Sequence, residues 1–245
     1  MKLGPRAVRG AFFGYWNLMR RYHRFEVRHL ERLDAVRPAL IVGYHGRASA
    51  HDLLMLLALQ ASRGRMPRPI FHVTTARLPI VRWLVEDGGF LVGDEVEIAR
   101  AVAAGDQILV APGGTREACR PHSTRYQVDW GDRTGYLRLA VRHRLPIIPT
   151  AASGVDDTYI GLNDGYRWGK KLRVPGQLPA WLALGPLGPW PLSPPFPVKI
   201  VQHVGEPIDP TEDGPRDEGD REGMLRLHRR VTAAVQGLLD EANAR

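Results

Sequence analysis

The chain has 245 residues and 44% hydrophobic content, which allows one large domain or two small ones with a sizeable core. Its single cysteine, Cys119, excludes an intramolecular disulfide and a multi-cysteine metal site. The net charge of +8 favours a partner with phosphate groups, nucleic acid or an anionic membrane, although GC-rich coding alone also produces an excess of arginine. No apolar run is long enough to span a bilayer, so we expect a cytoplasmic protein.

Residues 1–24 are predicted to form a basic amphipathic helix. Phe12, Trp16, Met19 and Tyr22 recur at roughly helical spacing, with arginines between them. Such a helix can lie in a membrane interface, where Trp and Tyr suit the headgroup level and Arg meets anionic lipid. It can equally pack its aromatic side chains on the core and leave its arginines in water. The sequence leaves both interpretations open.

Between residues 25 and 207, short apolar runs alternate with helical patterns. Strands are predicted at 39–44, 70–75, 108–112 and 146–152, and helices at 51–60, 78–87, 95–105 and 135–143. Alternation of this kind predicts an α/β fold, with a mostly parallel central sheet flanked by helices. In such sheets, functional sites collect where loops leave the strand ends.

The last part of the chain is proline-rich and then acidic. Residues 178–200 are apolar but too interrupted by proline to span a membrane, so they form a loop that dips into lipid, roofs an apolar tunnel or packs in the core. A last strand is predicted at 198–204. Residues 208–245 are predicted to be an acidic loop and a C-terminal helix that packs on the same domain.

The stretch YHGRASAHD places a histidine where the first predicted strand ends. His45 is followed by Gly46, so we expect it in a loop, where its unperturbed pKa of about 6.5 suits a general base. Ser49 and Asp52 form an S-x-x-D capping pattern for a helix that starts near Ala50, which gives Asp52 a structural role. The alternative is a carboxylate that holds the second nitrogen of the imidazole during catalysis.

The stretch APGGTREA follows another predicted strand. A strand that ends in Pro-Gly-Gly leaves backbone N–H groups available to an anion or a developing oxyanion, here at Gly113 and Gly114. Arg116 and Glu117 follow directly. The stretch lacks the G-x-x-x-x-G-K-[ST] pattern of a P-loop.

Taken in this order, YHGRASAHD, APGGTREA and GYLRLAVRHRLPIIPTAASGVDDTY resemble the glycerolipid (lysophospholipid) acyltransferase superfamily, within it the diacylglycerol acyltransferase 2-like branch. The resemblance covers about Phe25 to Pro207. It implies an O-acyltransferase of lipid metabolism and phospholipid biosynthesis that moves an acyl group from acyl-CoA or acyl carrier protein to a lipid hydroxyl. It also implies a monotopic protein on the inner face of the membrane, with no cofactor beyond the thioester co-substrate, no metal and no nucleic acid.

The resemblance also implies roles for single residues. His45 would deprotonate the acceptor hydroxyl and Asp52 would orient His45. The residues implied to bind substrate are Gly46, Gly113, Gly114, Thr115, Arg116 and Glu117. The chain departs from the family pattern in two places: Asp52 lies farther from His45 than is common, and GGTRE blends Gly-Gly-x-x-Glu with the Gly-Thr-Arg of lysophosphatidic acid acyltransferases. The acceptor is therefore either a neutral lipid or a phospholipid.

Other interpretations compete with the acyltransferase. A metal site from His45, His51, Asp52 and His72 lacks the helical spacing of a zinc pair and has no thiolate. A lipid or thioester hydrolase would use the same site with water as the acceptor, and the chain has no G-x-S-x-G elbow. A non-catalytic basic protein that binds a membrane surface would explain the charge but not His45.

Overall fold

The computed structural model describes residues 5–71, 88–174, 179–212 and 214–244. The described α-helices are α1 (Pro5–Tyr22), α2 (Leu30–Ala35), α3 (Arg47–Ser62), α4 (Glu95–Ala103), α5 (Gly114–Ala118), α6 (Gly135–His143), α7 (Gly165–Lys171) and α8 (Arg221–Asn243). The described strands are β1 (Glu26–Arg28), β2 (Ala39–Gly43), β3 (Arg68–Pro69), β4 (Gln107–Val110), β5 (Ile147–Ser153), β6 (Ile160–Gly161), β7 (Ala183–Gly185), β8 (Gly188–Pro189) and β9 (Val201–Val204).

A six-stranded sheet forms the centre of the protein, in the order β1-β9-β5-β2-β4-β3. β2 pairs in parallel with β4 and with β5, β3 pairs in parallel with β4, and β1 pairs in parallel with β9. β5 and β9 pair antiparallel. Every residue of β2 is buried, as expected for a central strand covered on both faces. The predicted fold class, a mostly parallel sheet flanked by helices, is confirmed.

Most elements that the hydrophobic pattern predicts are present. The runs at 39–44, 108–112, 146–152 and 198–204 contain β2, β4, β5 and β9, and the predicted helices at 51–60, 95–105 and 135–143 correspond to α3, α4 and α6. The predicted helix at 78–87 and most of the predicted strand at 70–75 lie outside the described residues. The pattern missed β1, α2, α7 and the β6–β8 strands, because elements this short carry too few residues to show a period.

The aromatic face of α1 packs on the core. Trp16 is buried, and its ring lies 5.3 Å from the ring of His51 on α3. Phe12 meets Phe90 edge to face at 6.0 Å. The alternative in which this face packs on the protein is therefore the one that the structure shows, while Tyr15 and Leu18 remain exposed. No helix among the described residues is both long enough and apolar enough to cross a membrane.

The C-terminal helix α8 packs against β5. The carboxylate of Asp220 caps its first turn by accepting a hydrogen bond from the Gly223 N–H at 2.9 Å. Buried side chains recur at spacings of three and four along the face that meets the sheet: Met224, Leu227, Val231, Val235 and Leu239. The division of the chain at residues 24 and 207 stays a prediction.

The proline-rich stretch forms most of a second, smaller sheet. Its strands β6, β7 and β8 are antiparallel throughout. Trp181 and Ala183 are buried against the protein, and the Trp181 indole N–H donates to the Arg120 carbonyl at 3.2 Å. Part of this stretch is therefore core, which was one of the three predicted alternatives.

Candidate active site

Three loops meet beyond the C-terminal ends of the parallel strands β2, β4 and β5. β2 leads through Tyr44 to His45, β4 leads to Gly113 and α5, and β5 leads to the short 3-10 turn Val155–Asp157. Hydrogen bonds join the loops: the His45 N–H donates to Glu117 Oε2 at 2.9 Å, and the Tyr44 hydroxyl donates to Asp156 at 2.6 Å. This edge of the sheet is where an α/β fold usually places its site.

The ring of His45 is held by the backbone of its neighbour. His45 Nδ1 lies 3.1 Å from the Gly46 carbonyl oxygen. Because a carbonyl oxygen only accepts hydrogen bonds, Nδ1 carries the proton and Nε2 keeps its lone pair. Burial lowers the pKa of His45 to about 4; the bond to Gly46 opposes this effect and the charge of Arg120 adds to it. The imidazole is therefore neutral near pH 7 and able to accept a proton at Nε2.

Asp52 is fully buried but does not hydrogen-bond to His45, which corrects the predicted contact. Neither of its carboxyl oxygens has a hydrogen-bond partner. Oδ1 lies 2.7 Å from the position that a Cβ on Gly46 would occupy, so the carboxyl group packs against the loop that carries His45. Burial raises the pKa of Asp52 to about 8. The nearby Leu53 N–H opposes this shift without reaching hydrogen-bond geometry, and the charge of Asp156 adds to it.

The predicted capping contact of Asp52 is absent, because its carboxyl oxygens accept no hydrogen bond. α3 includes a short first turn from Arg47, but regular helical geometry resumes only after Ala50, close to the predicted start of the helix. Ser49 and Ala50 leave helical geometry, with Ala50 at φ 51°, and the resulting kink accommodates the extra residue between His45 and Asp52. An unpaired buried carboxyl group costs stability and is more typical of a functional site than of a structural one.

Glu117 ties two loops together, and its contact with substrate stays a prediction. It is fully buried, and while Oε2 accepts from His45, Oε1 accepts from the Asp129 N–H at 2.9 Å. Burial raises the pKa of Glu117, and the nearby charge of Arg120 opposes that effect. A Cβ at Gly113 would overlap the Glu117 carboxyl group, so Gly113 makes room for this tie, while its role in lining a ligand site stays a prediction.

A buried polar network that the sequence analysis missed lies behind His45. Asp156 Oδ2 accepts from the Tyr44 hydroxyl and, at 2.8 Å, from the Tyr126 N–H. The guanidinium of Arg120 lies 4.7 Å from the centre of the Tyr44 ring, and its Nε is 4.0 Å from Asp156. The available signal was the position of Asp156 three residues after the end of β5, in the last of the three family-like blocks. The network gives the His45 loop a rigid support.

Arg47 is a second buried cation beside the site. It is fully buried two positions after His45 and donates to the carbonyl oxygens of Tyr159 at 2.6 Å and Pro121 at 2.9 Å. Burial lowers the pKa of Arg47, and the charge of Asp156 opposes this effect. Its contacts join α3 to the segment that enters β6.

The first residues of α5 lie at the surface of the site. Gly114 has φ +52°, and its N–H donates to the Ala111 carbonyl at 3.2 Å, so that N–H is not available to an oxyanion as predicted. Thr115 is exposed, and Arg116 Nε donates to Asp129 Oδ2 at 2.7 Å. Both side chains are accessible to a ligand, and ligand contact by Thr115 and Arg116 stays a prediction.

The competing metal site finds no support among the described residues. They contain no group of three or more His, Cys, Asp or Glu side chains placed to hold a metal ion, and His72 lies outside them. A cavity of about 1290 Å³ lies at another part of the surface, between α6 and the acidic loop. Val141, Arg144 and Asp209 line it, and none of the predicted site residues does.

Comparison with known proteins identifies the family. A family model described as Acyltransferase matches residues 24–153, which is more than half of the chain. The chain belongs to the acyltransferase family. This confirms the resemblance that the three sequence blocks carried.

Relatives of the chain include proteins named for the synthesis of storage lipids. A chicken (Gallus gallus) protein named "DGAT1/2-independent enzyme synthesizing storage lipids" is 31% identical over 76% of this chain and 53% of its own length. A human protein of the same name is 26% identical over 90% of this chain and 62% of its own length. The chain therefore spans only about half to three fifths of these relatives.

A solved structure shares the fold. The 1-acyl-sn-glycerophosphate (LPA) acyltransferase PlsC from Thermotoga maritima superposes with a TM-score of 0.58 at 18% identity. The match covers 98% of this chain and 82% of that protein.

Proposed function

We propose that the protein is a glycerolipid O-acyltransferase that moves a fatty acyl group from a thioester to the hydroxyl of a lipid. The donor is acyl-CoA or an acyl carrier protein. The observation that carries this proposal is the state of His45: its ring lies at a strand end, Nδ1 is occupied by Gly46, and Nε2 is free of its proton. Membership of the acyltransferase family supports acyl transfer as the reaction.

In the proposed reaction, His45 Nε2 takes the proton of the acceptor hydroxyl while the hydroxyl oxygen attacks the thioester carbonyl carbon. The carbon–sulfur bond then breaks, and the leaving thiolate takes the proton from His45. Gly46 keeps the ring in the required tautomer, and Glu117 positions the loop through the His45 N–H. Asp52 lies against the same loop. Burial keeps most of its carboxyl group protonated near pH 7, but the positive charge of an imidazolium at His45 favours the ionised form, which would stabilise that imidazolium in turn.

Arg116 is the residue on which the class of acceptor depends. Its guanidinium is at the surface and pairs with Asp129, a carboxylate that is about half exposed. A phosphate on the acceptor would compete for this guanidinium and gain a charge-assisted hydrogen bond. The relatives named for storage-lipid synthesis support a neutral acceptor instead, so both classes belong in the test.

Two further candidate functions use the same surface. A hydrolase would employ the free Nε2 of His45 to activate water in place of the lipid hydroxyl. In a non-catalytic membrane-binding protein, the unpaired buried carboxyl group of Asp52 would lower stability without making any hydrogen bond that stabilises the fold. Asp52 therefore favours an enzyme over a passive binding protein.

The test compares the wild-type chain with His45→Asn, whose amide nitrogen can replace Nδ1 in the bond to Gly46 but which has no base at the Nε2 position. The matched control is His29→Ala, a change at an exposed histidine. Each protein is incubated with acyl-CoA or acyl carrier protein thioesters and vesicles that contain glycerides and lysophospholipids. Lipid products and free thiol are followed by mass spectrometry.

We expect wild type and the His29 variant to form an acylated lipid, and His45→Asn to lose about 10² to 10⁴ in rate. Undiminished transfer by His45→Asn would refute the assignment of the base. Free thiol and free fatty acid without an acylated lipid would identify a hydrolase. Vesicle binding by the wild type without any turnover would favour the non-catalytic alternative.

A further inference from the structure

The exposed apolar side chains of the protein are concentrated in one part of the chain. Among the described residues, eleven large hydrophobic side chains are exposed, and eight of them lie between residues 160 and 192. These eight are Ile160, Leu162, Trp168, Leu172, Leu182, Leu184, Leu187 and Leu192. Such clustering differs from the scattered exposure that soluble surfaces normally show, and it marks an interaction site.

Four of these side chains cover one face of the β6–β7 ladder. Ile160 lies directly opposite Leu184, and the Leu162 N–H donates to the Leu182 carbonyl at 2.9 Å, which places the second pair two residues along each strand. Because side chains alternate between the faces of a strand, both pairs project to the same side. The other face, which includes Ala183, is buried against the protein. The β6–β7 ladder is thus apolar on its outer face as well as on its inner face.

The turn beyond this face extends the apolar surface. Leu187 is 81% exposed and Leu192 is 88% exposed. The backbone around them is ordered by hydrogen bonds, since the Leu187 N–H donates to Ser193 Oγ at 3.0 Å and the Trp190 N–H donates to the Ala183 carbonyl at 2.9 Å. Two leucines are therefore held out in water by a defined turn. Together, β6, β7, β8 and this turn are called the apolar hairpin below.

Cationic side chains lie in α7 and the residues after it, and α7 is tied to the segment before β7 because the Gly165 carbonyl accepts from the Ala180 N–H at 2.8 Å. Arg167, Lys170, Lys171 and Arg173 are all exposed. The sequence from 160 to 192 contains one acidic residue, Asp164, which caps α7 and lies 3.2 Å from Arg167. An apolar surface beside an excess of cations complements a membrane with anionic headgroups, because lipid tails take the leucines and headgroups take the cations.

The apolar hairpin is joined directly to the candidate active site. Its inner face bonds to the segment after α5 through Trp181 and Arg120, and Arg47 donates to the carbonyl of Tyr159, the residue before β6. Arg47 is two positions from His45, and Arg120 is three positions from Glu117. A surface bound through this hairpin is therefore held close to the residues that support His45.

We propose that the outer face and turn of the apolar hairpin form the membrane-docking surface of this protein, with the cations of α7 against anionic headgroups. This inference rests on the proposed function, since docking here presents the membrane's own lipids to His45 as acceptors. The aromatic face of α1, which the sequence offered for that role, is occupied by the core.

The test measures sedimentation of the full chain with vesicles of phosphatidylcholine alone and of phosphatidylcholine with phosphatidylglycerol. The first variant carries Leu187→Ser and Leu192→Ser in the turn, where exposure is too high for the change to unfold the protein. The second carries Leu162→Ser and Leu184→Ser on the face. Val96→Ser on α4 is the matched control, because Val96 is equally apolar and 58% exposed but lies outside the hairpin.

We expect wild type and the Val96 variant to bind the anionic vesicles more tightly than the neutral ones. Each leucine variant should bind the anionic vesicles at least about tenfold more weakly than wild type does. Wild-type binding by the turn variant, whatever the face variant does, would overturn the proposal. The proposal would also be overturned if wild type does not bind vesicles and the turn substitutions convert an oligomer into a monomer, because the apolar hairpin would then be a protein interface.

A second assay separates this inference from the proposed function. A short-chain acceptor that dissolves in water is offered together with the thioester donor. If docking alone is impaired, the turn variant turns over this acceptor at the wild-type rate while losing activity on vesicles. Leucine-dependent vesicle binding without acyl transfer to either acceptor would refute the proposed function and leave the docking surface standing.

Discussion

Replacing Asp52 by asparagine is expected to make the folded protein more stable at neutral pH. The Asp52 carboxyl group is fully buried, neither oxygen has a hydrogen-bond partner, and burial raises its pKa to about 8. At pH 7 the group is therefore mostly protonated in the folded state but ionised in the unfolded chain. Folding must take up a proton, which costs free energy that an asparagine does not incur.

The size of the effect follows from the two pKa values. The ordinary pKa of Asp is 3.8, so pH 7 lies about three pH units above it, and protonation costs about 4 kcal/mol at 1.36 kcal/mol per pH unit. An asparagine amide without a partner costs about 1 to 3 kcal/mol, but the protonated carboxyl group of the wild type has no partner either, so these two costs largely cancel. The net gain is therefore up to about 4 kcal/mol, and each kcal/mol raises Tm by roughly 2 to 4 °C in a chain of this length.

The dependence on pH distinguishes this effect from a change in packing. Because the folded pKa of Asp52 lies above the unfolded value, the contribution of Asp52 to wild-type stability falls as the pH rises from about 4 to about 8. The asparagine does not titrate, so the advantage of Asp52→Asn should grow across that window and level off above it. At pH 5 the difference should be small.

The assay is thermal unfolding of wild type and variant at pH values between about 5 and 8. Asp34→Asn is the matched control: Asp34 lies 2.6 Å from Arg63 and 3.0 Å from Arg65, whose hydrogen bonds and charges lower its pKa despite some burial. That variant should lose stability by a similar amount throughout the range. An Asp52→Asn protein that is less stable at pH 7, or whose gain does not grow with pH, would show that Asp52 is ionised and paired. We also expect kcat to fall in Asp52→Asn, because an imidazolium at His45 favours ionisation of the Asp52 carboxyl group and an asparagine cannot ionise.

Three further predictions concern the same site. Glu117→Gln should lower kcat with little change in KM and cost about 1 to 3 kcal/mol in stability, because one of the two backbone N–H groups that it holds loses its acceptor. Steady-state kinetics measure the first effect and urea unfolding measures the second. A change in KM alone would argue for substrate contact. Burial lowers the pKa of both His45 and His51 to about 4, so their contribution to stability should fall as the pH drops from about 6.5 to about 4, opposite in sign to the contribution of Asp52. An acid titration of the Asp52→Asn variant, followed by circular dichroism, isolates the histidines, and the prediction fails if the stability of that variant is flat there. Arg116→Ala should raise the KM of a phosphate-bearing acceptor far more than that of the thioester donor, whereas equal changes would exclude phosphate recognition.

Local pattern determined much of this protein. The apolar run of β2 and the periodic spacing in α6 and α8 predicted those elements, because hydrophobic periodicity depends only on neighbouring residues. The same argument placed His45 in a loop at a strand end. The order of three short blocks then indicated the acyltransferase family, since each block keeps its residues together along the chain.

Tertiary structure alone decided how the site is assembled. His45 and Glu117 are 72 residues apart in sequence, yet the carboxylate of one holds the backbone of the other. The kink with a positive φ at Ala50 directs Asp52 against Gly46 instead of the His45 ring, and a non-glycine residue announces no such conformation. The outer face of the apolar hairpin could not be predicted from the sequence either. A strand with apolar side chains on both faces reads as an unbroken apolar run, and only the pairing of β6 with β7 shows which side chains lie on which face. Contacts between distant segments set these features, and a local pattern carries no record of them.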